Sequence, residues 1–280
     1  MNIYSTVNSE QLTGTRVNLV SGVYSVLLVG GGGGGCAMNF LPNYDNIISG
    51  AGGGSGYAWK GRITVQMNSV VEVNVGSGGS AGKYEGKPGQ STVLKLDDNI
   101  VKVVTGGQPG KFVGDLYQSG QYTDSFAQGG DGASGGGSCD GRVILEEGRM
   151  YFHPGNGGWN GSDGSGIFRG DTEYATGGKG YANDYYNVID KQIDPDISHT
   201  GRSATLSFGG LSCYNIPGVK RAVELYAVAG GGGGWGSEYL GECYQGVYVS
   251  GHGYGAGGGG GHHGIRGFAS FIRIGDCPDA

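Results

Sequence analysis

The sequence predicts an all-β fold: a small antiparallel sheet or sandwich, polyglycine II-type rods packed on it, long connecting loops and very little helix. Three observations predict it. Glycine supplies 66 of 280 residues and is gathered into runs. Short segments rich in β-branched and aromatic residues alternate with those runs. No helix-period segment of useful length escapes interruption by glycine.

The strand candidates show the simplest pattern. They are residues 16–29, 57–75, 91–96, 100–104, 142–147, 149–153, 222–229 and 268–274. Ile63, Val65 and Met67 alternate with Thr64 and Gln66, and Val71, Val73 and Val75 alternate with Glu72 and Asn74. Period-two alternation of this kind places the apolar residues on one half-buried face. Residues 66–69 contain the turn between these two segments. Residues 91–96 and 100–104, joined by Asp97, Asp98 and Asn99, read as a hairpin.

The scaffold glycines are Gly30, Gly31, Gly32, Gly33, Gly34 and Gly35; Gly230, Gly231, Gly232, Gly233 and Gly234; and Gly257, Gly258, Gly259, Gly260 and Gly261. Shorter runs stand at 52–54 and 135–137. A glycine run has no side-chain face and cannot pack as an ordinary strand. It can take the polyproline II conformation, which has three residues per turn and makes no internal hydrogen bonds. Its N–H and C=O groups then need lateral partners when buried, and only glycine lets neighbouring backbones approach closely on every side. Six residues at ~3.1 Å each give a rod of roughly 19 Å. There is a weak internal echo: residues 26–29 with 30–35 resemble 225–229 with 230–234, and 51–54 before 57–65 resemble 256–261 before 268–274.

Composition narrows the class. Glycine and proline make up about a quarter of the chain, a level near that of low-complexity sequences. Yet 18 Tyr, 8 Phe and 3 Trp with only 15% charged residues argue for an ordered protein. A formal net charge of −6 argues against nucleic acid as a partner, since phosphate binding needs a basic face. The apolar stretch 23–29 is too short to span a bilayer, so no membrane insertion is expected. Residues 1–15 have neither the basic start nor the apolar core of a secretory signal. The five cysteines lack metal-type spacing and read as free thiols. The length allows one large or two modest domains. The expected organisation is an N-terminal segment 1–13, one glycine-rich domain 14–275 divisible into halves 14–140 and 141–275, and a tail 276–280.

Residues 23–29 followed by six glycines resemble the opening of the glycine-rich domain of bacteriophage tail proteins. Residues 255–261 and then 268–274 resemble that domain's close, and 51–58, 70–76 and 89–92 match its rhythm of strand, glycine and serine. The resemblance spans residues 14 to 275. It implies a phage virion protein, related to tail-fibre-tip adhesins in which polyglycine rods display variable loops to host receptors. The partners it implies are other virion proteins (tail fibre, baseplate or capsid) and a host cell-surface protein or glycan.

Candidate contact residues come from the segments between glycine runs: 39–48, 112–126, 159–174, 181–199, 211–219 and 237–249. They hold aromatics among Asn, Asp and Ser, and Tyr and Trp offer large, rigid contact area with a polar handle. The candidates are Tyr44, Tyr117, Tyr122, Phe126, Trp159, Phe168, Tyr174, Tyr185, Tyr186, Tyr214, Tyr239 and Tyr244. The competing reading is that such aromatics fill a core that glycine cannot.

Other motifs are weaker. Residues 28–35 lack the following helix that a phosphate loop needs, and 106–112 lack Ser or Thr after Lys111. His262 and His263 are adjacent, so on an extended chain they face opposite sides and suit one metal ion poorly. Residues 160–164 are turn-rich but lack the Glu of a calcium loop. No triad or paired acids announce catalysis. The expectation is a non-enzymatic protein of the virion with no cofactor and no metal, an adhesin of the tail fibre or tail tip. The alternatives are a purely structural virion component and an ice-binding protein.

Overall fold

The computed structural model describes residues 6–8, 16–41, 44–118, 122–144, 149–158, 162–169, 172–180, 205–209, 224–234, 243–244, 247–248, 251 and 253–277. At one end two four-stranded antiparallel sheets pack face to face. The first is ordered β1 (Thr6–Asn8), β20 (Phe268–Gly275), β3 (Gly22–Val29), β6 (Ala58–Val65). The second is ordered β2 (Arg16–Leu19), β7 (Ser69–Asn74), β8 (Thr92–Leu96), β9 (Asn99–Val104). The alternation seen in the sequence sets their inward faces. Tyr24, Val26, Leu28 and Phe271 from one sheet meet Val17, Leu19, Val71, Val73 and Leu94 from the other in a single core. Burying each large apolar side chain there contributes about 1.5–3 kcal/mol. Between β8 and β9 the turn residues are Asp97 and Asp98, with φ of 47° and 65°, and Asn99 already belongs to β9. Positive φ at both central residues fits a two-residue hairpin, and the Asp97 carboxylate accepts the Val70 N–H at 2.8 Å.

Beyond the sandwich the chain runs as rods, and their hydrogen bonds show a period of three. In residues 30–36 the N–H groups of Gly30, Gly33 and Cys36 donate to the carbonyls of Tyr57, Gly54 and Ala51. Those of Gly31 and Gly34 donate to Gln90 and Lys87, and those of Gly32 and Gly35 to Ile265 and His262. In return the Gly31 and Gly34 carbonyls accept from Gly107 and Gly110, that of Gly32 from Gly79, and that of Gly33 from Gly258. Every third residue thus addresses the same neighbour, as a helix with three residues per turn requires. The rod has six neighbours, three antiparallel ones that accept its N–H groups and three parallel ones that donate to its carbonyls.

Two more rods are surrounded in the same way. Residues 51–57 donate to 134–137, 255–258 and 105–108, and accept from 30–36, 130–133 and 229–232. Residues 134–138 are enclosed by 51–57, 129–131, 155–158, 162–165, 176–180 and 229–234. Among the described residues the bonds order the rods in three rows. The middle row is 76–82, 30–36, 51–57, 134–138, 162–165. One outer row is 85–90, 105–110, 129–131, 176–180, and the other is 262–267, 255–261, 229–234, 155–158. The strands anchor this array: β3 runs into 30–36, β7 into 76–82 and β9 into 105–110, while 51–57, 85–90 and 262–267 descend into β6, β8 and β20. The second half of the internal echo is therefore spatial, because β6 and β20 flank β3. The first half is not: 30–36 and 229–234 run in opposite directions.

Side chains have no room in the enclosed rods. A Cβ on Gly32 would lie 1.9 Å from the Ala256 carbonyl oxygen, one on Gly33 2.1 Å from that of Gln108, and one on Gly34 2.2 Å from that of Ser80. The same period of three recurs, and a carbonyl oxygen occupies each side-chain direction, so that weak Cα–H···O contacts replace side-chain packing. Outer rods tolerate more. Pro88 and Pro109 sit where the fixed φ of proline matches the rod, while their neighbours 86, 87, 89, 107, 108 and 110 supply the bonded N–H groups.

The other end of the bundle bears hairpins. β4 (Met38–Leu41) and β5 (Tyr44–Gly50) link rods 30–36 and 51–57. β10 (Lys111–Gln118) and β11 (Tyr122–Gln128) link 105–110 to 129–131. β12 (Cys139–Ile144) and β13 (Arg149–Pro154) follow 134–138, and β14 (Ile167–Arg169) and β15 (Thr172–Ala175) follow 162–165. β10 to β13 form one sheet. β16 (Thr205–Gly209), β17 (Glu224–Val228), β5 and β4 form another, in which β17 and β5 are parallel. No helix occurs among the described residues. The substitutions Gly33→Ala and Gly53→Ala should each cost about 3 kcal/mol or more, because backbone rather than a movable side chain must yield. Gly275, with nothing within 4 Å of its would-be Cβ, is the control: Gly275→Ala should stay within about 0.5 kcal/mol by denaturant midpoint.

Candidate recognition surface

The hairpin end concentrates what the sequence offers for contact, but its segments are more regular than expected. Residues 39–48 and 112–126, expected as loops, are largely the paired strands β4–β5 and β10–β11. Their sequences mix Asp, Asn, Gln and Ser with the aromatics, so no apolar face marks them as strands. Cross-strand pairing satisfies their backbones instead. Of the expected loop 159–174, residues 162–165 are a rod and 167–169 are β14. β18 (Cys243–Tyr244) and β19 (Val247–Tyr248) form a short hairpin within 237–249.

Seven aromatic candidates fall on described strands. Tyr44 opens β5, opposite Leu41. Tyr117 pairs with Thr123, and Tyr122 with both Gln118 and Ile144. Phe168 pairs with Glu173, Tyr174 lies in β15, and Tyr244 pairs with Val247. Phe126 is a correction. It is only 4% exposed, so it packs inward rather than facing a partner, the competing reading for aromatics in a glycine-rich chain. Trp159, Tyr185, Tyr186, Tyr214 and Tyr239 lie outside the described residues.

Sequence reasoning missed one feature of this end. The turn at 82–85, between rods 76–82 and 85–90, raises Tyr84 to 59% exposure, with the Lys83 ammonium 5.6 Å from its ring centroid. Val113 at the start of β10 is 58% exposed. The turn lies among rods so short in glycine runs that nothing in the sequence marks it as a tip.

Beneath the hairpins the bundle is sealed. Cys36 ends the first enclosed rod at 1% exposure, its sulfur 3.5 Å from the Ala51 N–H. The histidines noted in the sequence serve the rods: His263 Nδ1 accepts the Ala81 N–H at 3.2 Å, and the His262 carbonyl accepts from Gly35.

The glycine-rich domain family matches residues 10–271. This chain belongs to that family. The match covers every rod and both sheets of the sandwich apart from β1 and the last four residues of β20. A comparison with curated proteins found no match.

Burial pushes the Cys36 thiol up to about 11 from the usual 9.0, and the Tyr24 hydroxyl is raised by burial too, against opposing contributions from Arg273 and Val20. Groups whose pKa rises on folding stabilise the fold fully below their unfolded value and lose that contribution as pH climbs through the folded one. The denaturant midpoint should therefore be flat near neutrality and fall between pH 9 and about 11. Cys36→Ala should make that fall shallower, leaving a residual slope from Tyr24.

Proposed function

We propose that this chain is a bacteriophage adhesin of the tail fibre or tail tip, a non-enzymatic virion protein that binds the host cell surface through hairpins held on a rigid glycine bundle. The observation that carries the reading is the polarity of the molecule. Side-chain packing closes one end in a sandwich, and the aromatic and polar insertions β4–β5, β10–β11, β12–β13 and β14–β15 leave from the other. Rods with three to six hydrogen-bonded neighbours hold the bases of those hairpins in place. A recognition element fixed before contact loses less conformational freedom on binding. The phage setting rests on the resemblance of 23–35 and 255–274 to tail proteins. On this reading the sandwich end faces other virion proteins and the hairpin end faces a host protein or glycan. An ice-binding face would need small residues in regular ranks, whereas the outer row 85–90, 105–110, 129–131, 176–180 bears exposed Lys87, Gln90, Gln108 and Lys179.

The test is binding of the fluorescently labelled full chain to a panel of intact bacterial strains. Strain-selective binding is expected, weakened at least about tenfold in Tyr117→Ser/Tyr122→Ser or in Tyr185→Ser/Tyr186→Ser, with Phe126 kept because it is buried. Absence of binding to every strain would sink the adhesin reading and leave a structural virion component.

A further inference from the structure

We propose that the turn at 82–85 is a docking point for an acidic glycan, a site that gives the adhesin reading a receptor class and rests on that reading for its role in attachment. The backbone of the turn is fixed at several points. Gly82 donates to the Gly35 carbonyl and accepts from Ala37, the Tyr84 carbonyl accepts the Phe112 N–H at 2.6 Å, and Glu85 bridges to Lys111. Its side chains are free by contrast. Tyr84 offers an exposed ring, and Lys83 lies over that ring. Lys87 on rod 85–90 and Lys111 at the start of β10, whose backbone pairs with that of Glu85, are exposed. None of the three lysines is ion-paired to a described residue, and Glu85 is the one acid of the turn. On a chain of net charge −6, an exposed aromatic ring with one ammonium over it and two further exposed lysines on the adjoining segments is a local excess of positive charge. Such a patch attracts anions against the field of the whole molecule.

The chemistry selects the partner. The apolar face of a pyranose stacks on a Tyr ring, and carboxylate or phosphate substituents on the sugar reach Lys83 and Lys111 as charge-assisted hydrogen-bond partners. Single-stranded nucleic acid fits less well, because it wants successive aromatic platforms in a basic groove, and here one ring stands alone. Neutral glycans would use Tyr84 but leave the lysines idle.

The test is affinity electrophoresis of the full chain through gels containing polygalacturonate, poly(glycerol phosphate), neutral dextran or single-stranded DNA. Retardation by the two polyanionic polymers, screened by added salt, and none by dextran is expected. Tyr84→Ala and Lys83→Gln/Lys111→Gln should each weaken it about tenfold. Both variants change exposed side chains and leave the backbone contacts of the turn, and an unchanged melting temperature verifies that; if Tyr84→Ala melts early, the lysine pair decides alone. Equal retardation by dextran, stronger retardation by DNA, or no effect of either variant would overturn the site. Cell binding separates the two proposals. Strain-selective binding that ignores Tyr84 removes the glycan site and spares the adhesin, while Tyr84-dependent retardation with no cell binding does the reverse.

Discussion

Everything in this molecule depends on the commitment of each enclosed glycine to three different neighbours at once. In the rod 30–36 one residue's N–H, C=O and Cα–H each meet a different rod, and the pattern repeats every third residue. A side chain in any of these directions collides with a carbonyl at about 2 Å. Hydrogen bonds contribute only about 0.5–1.5 kcal/mol each, and an unpaired buried amide costs more than that. The lattice is therefore stable as a whole and intolerant in its parts: losing one rod would orphan groups on every rod around it. This is what offsets the large backbone entropy that glycine loses on ordering.

Glycine rods alone do not determine which rod sits where, since one run of glycine fits as well as another. The sandwich supplies that order. Its core brings β3, β6, β7, β8, β9 and β20 together by ordinary apolar side chains, and each of these strands delivers its rod at a fixed position and direction. Small polar groups tie the two systems where they join. The Thr92 hydroxyl donates to the Val29 carbonyl at 2.6 Å and accepts the Gly76 N–H at 2.9 Å, and the Ser55 hydroxyl accepts the Ser134 N–H at 2.8 Å. Sequence distance is spanned freely: rods near residues 30 and 260 are neighbours, so the fold is dominated by long-range contacts of the kind that form late.

Much of this was legible. Period-two alternation located β6 and β7, the Asp97–Asp98 turn located β8 and β9, and the glycine runs implied three-residue-per-turn rods. What the sequence hid was which rods are enclosed. Run length is an uneven guide: the six-glycine run 30–35 is enclosed, but 230–234 and 257–261 lie in an outer row of the described rods, whereas 134–138, with serine at both ends, is enclosed on six sides. Enclosure is set by which third residue meets which neighbour, a property of pairs far apart in sequence. The rods 85–90 and 105–110 were invisible for the converse reason, because outward positions accept Lys87, Pro88, Gln90 and Gln108. At the hairpin end, polar strands without an apolar face read as loops, and buried Phe126 could not be told from an exposed aromatic by type alone.

Three of the described rods are surrounded on all sides, and amide hydrogen exchange resolved to single residues probes that enclosure rod by rod. Amides of 30–36, 52–57 and 135–138 should exchange only through global unfolding, at one shared protection level. Ser77, Gly78 and Ser80, which have no backbone acceptor among the described residues, should exchange orders of magnitude faster despite lying in a rod of the same kind. Enclosed amides exchanging as fast as these would contradict the lattice, and with it the rigid base on which the hairpins stand.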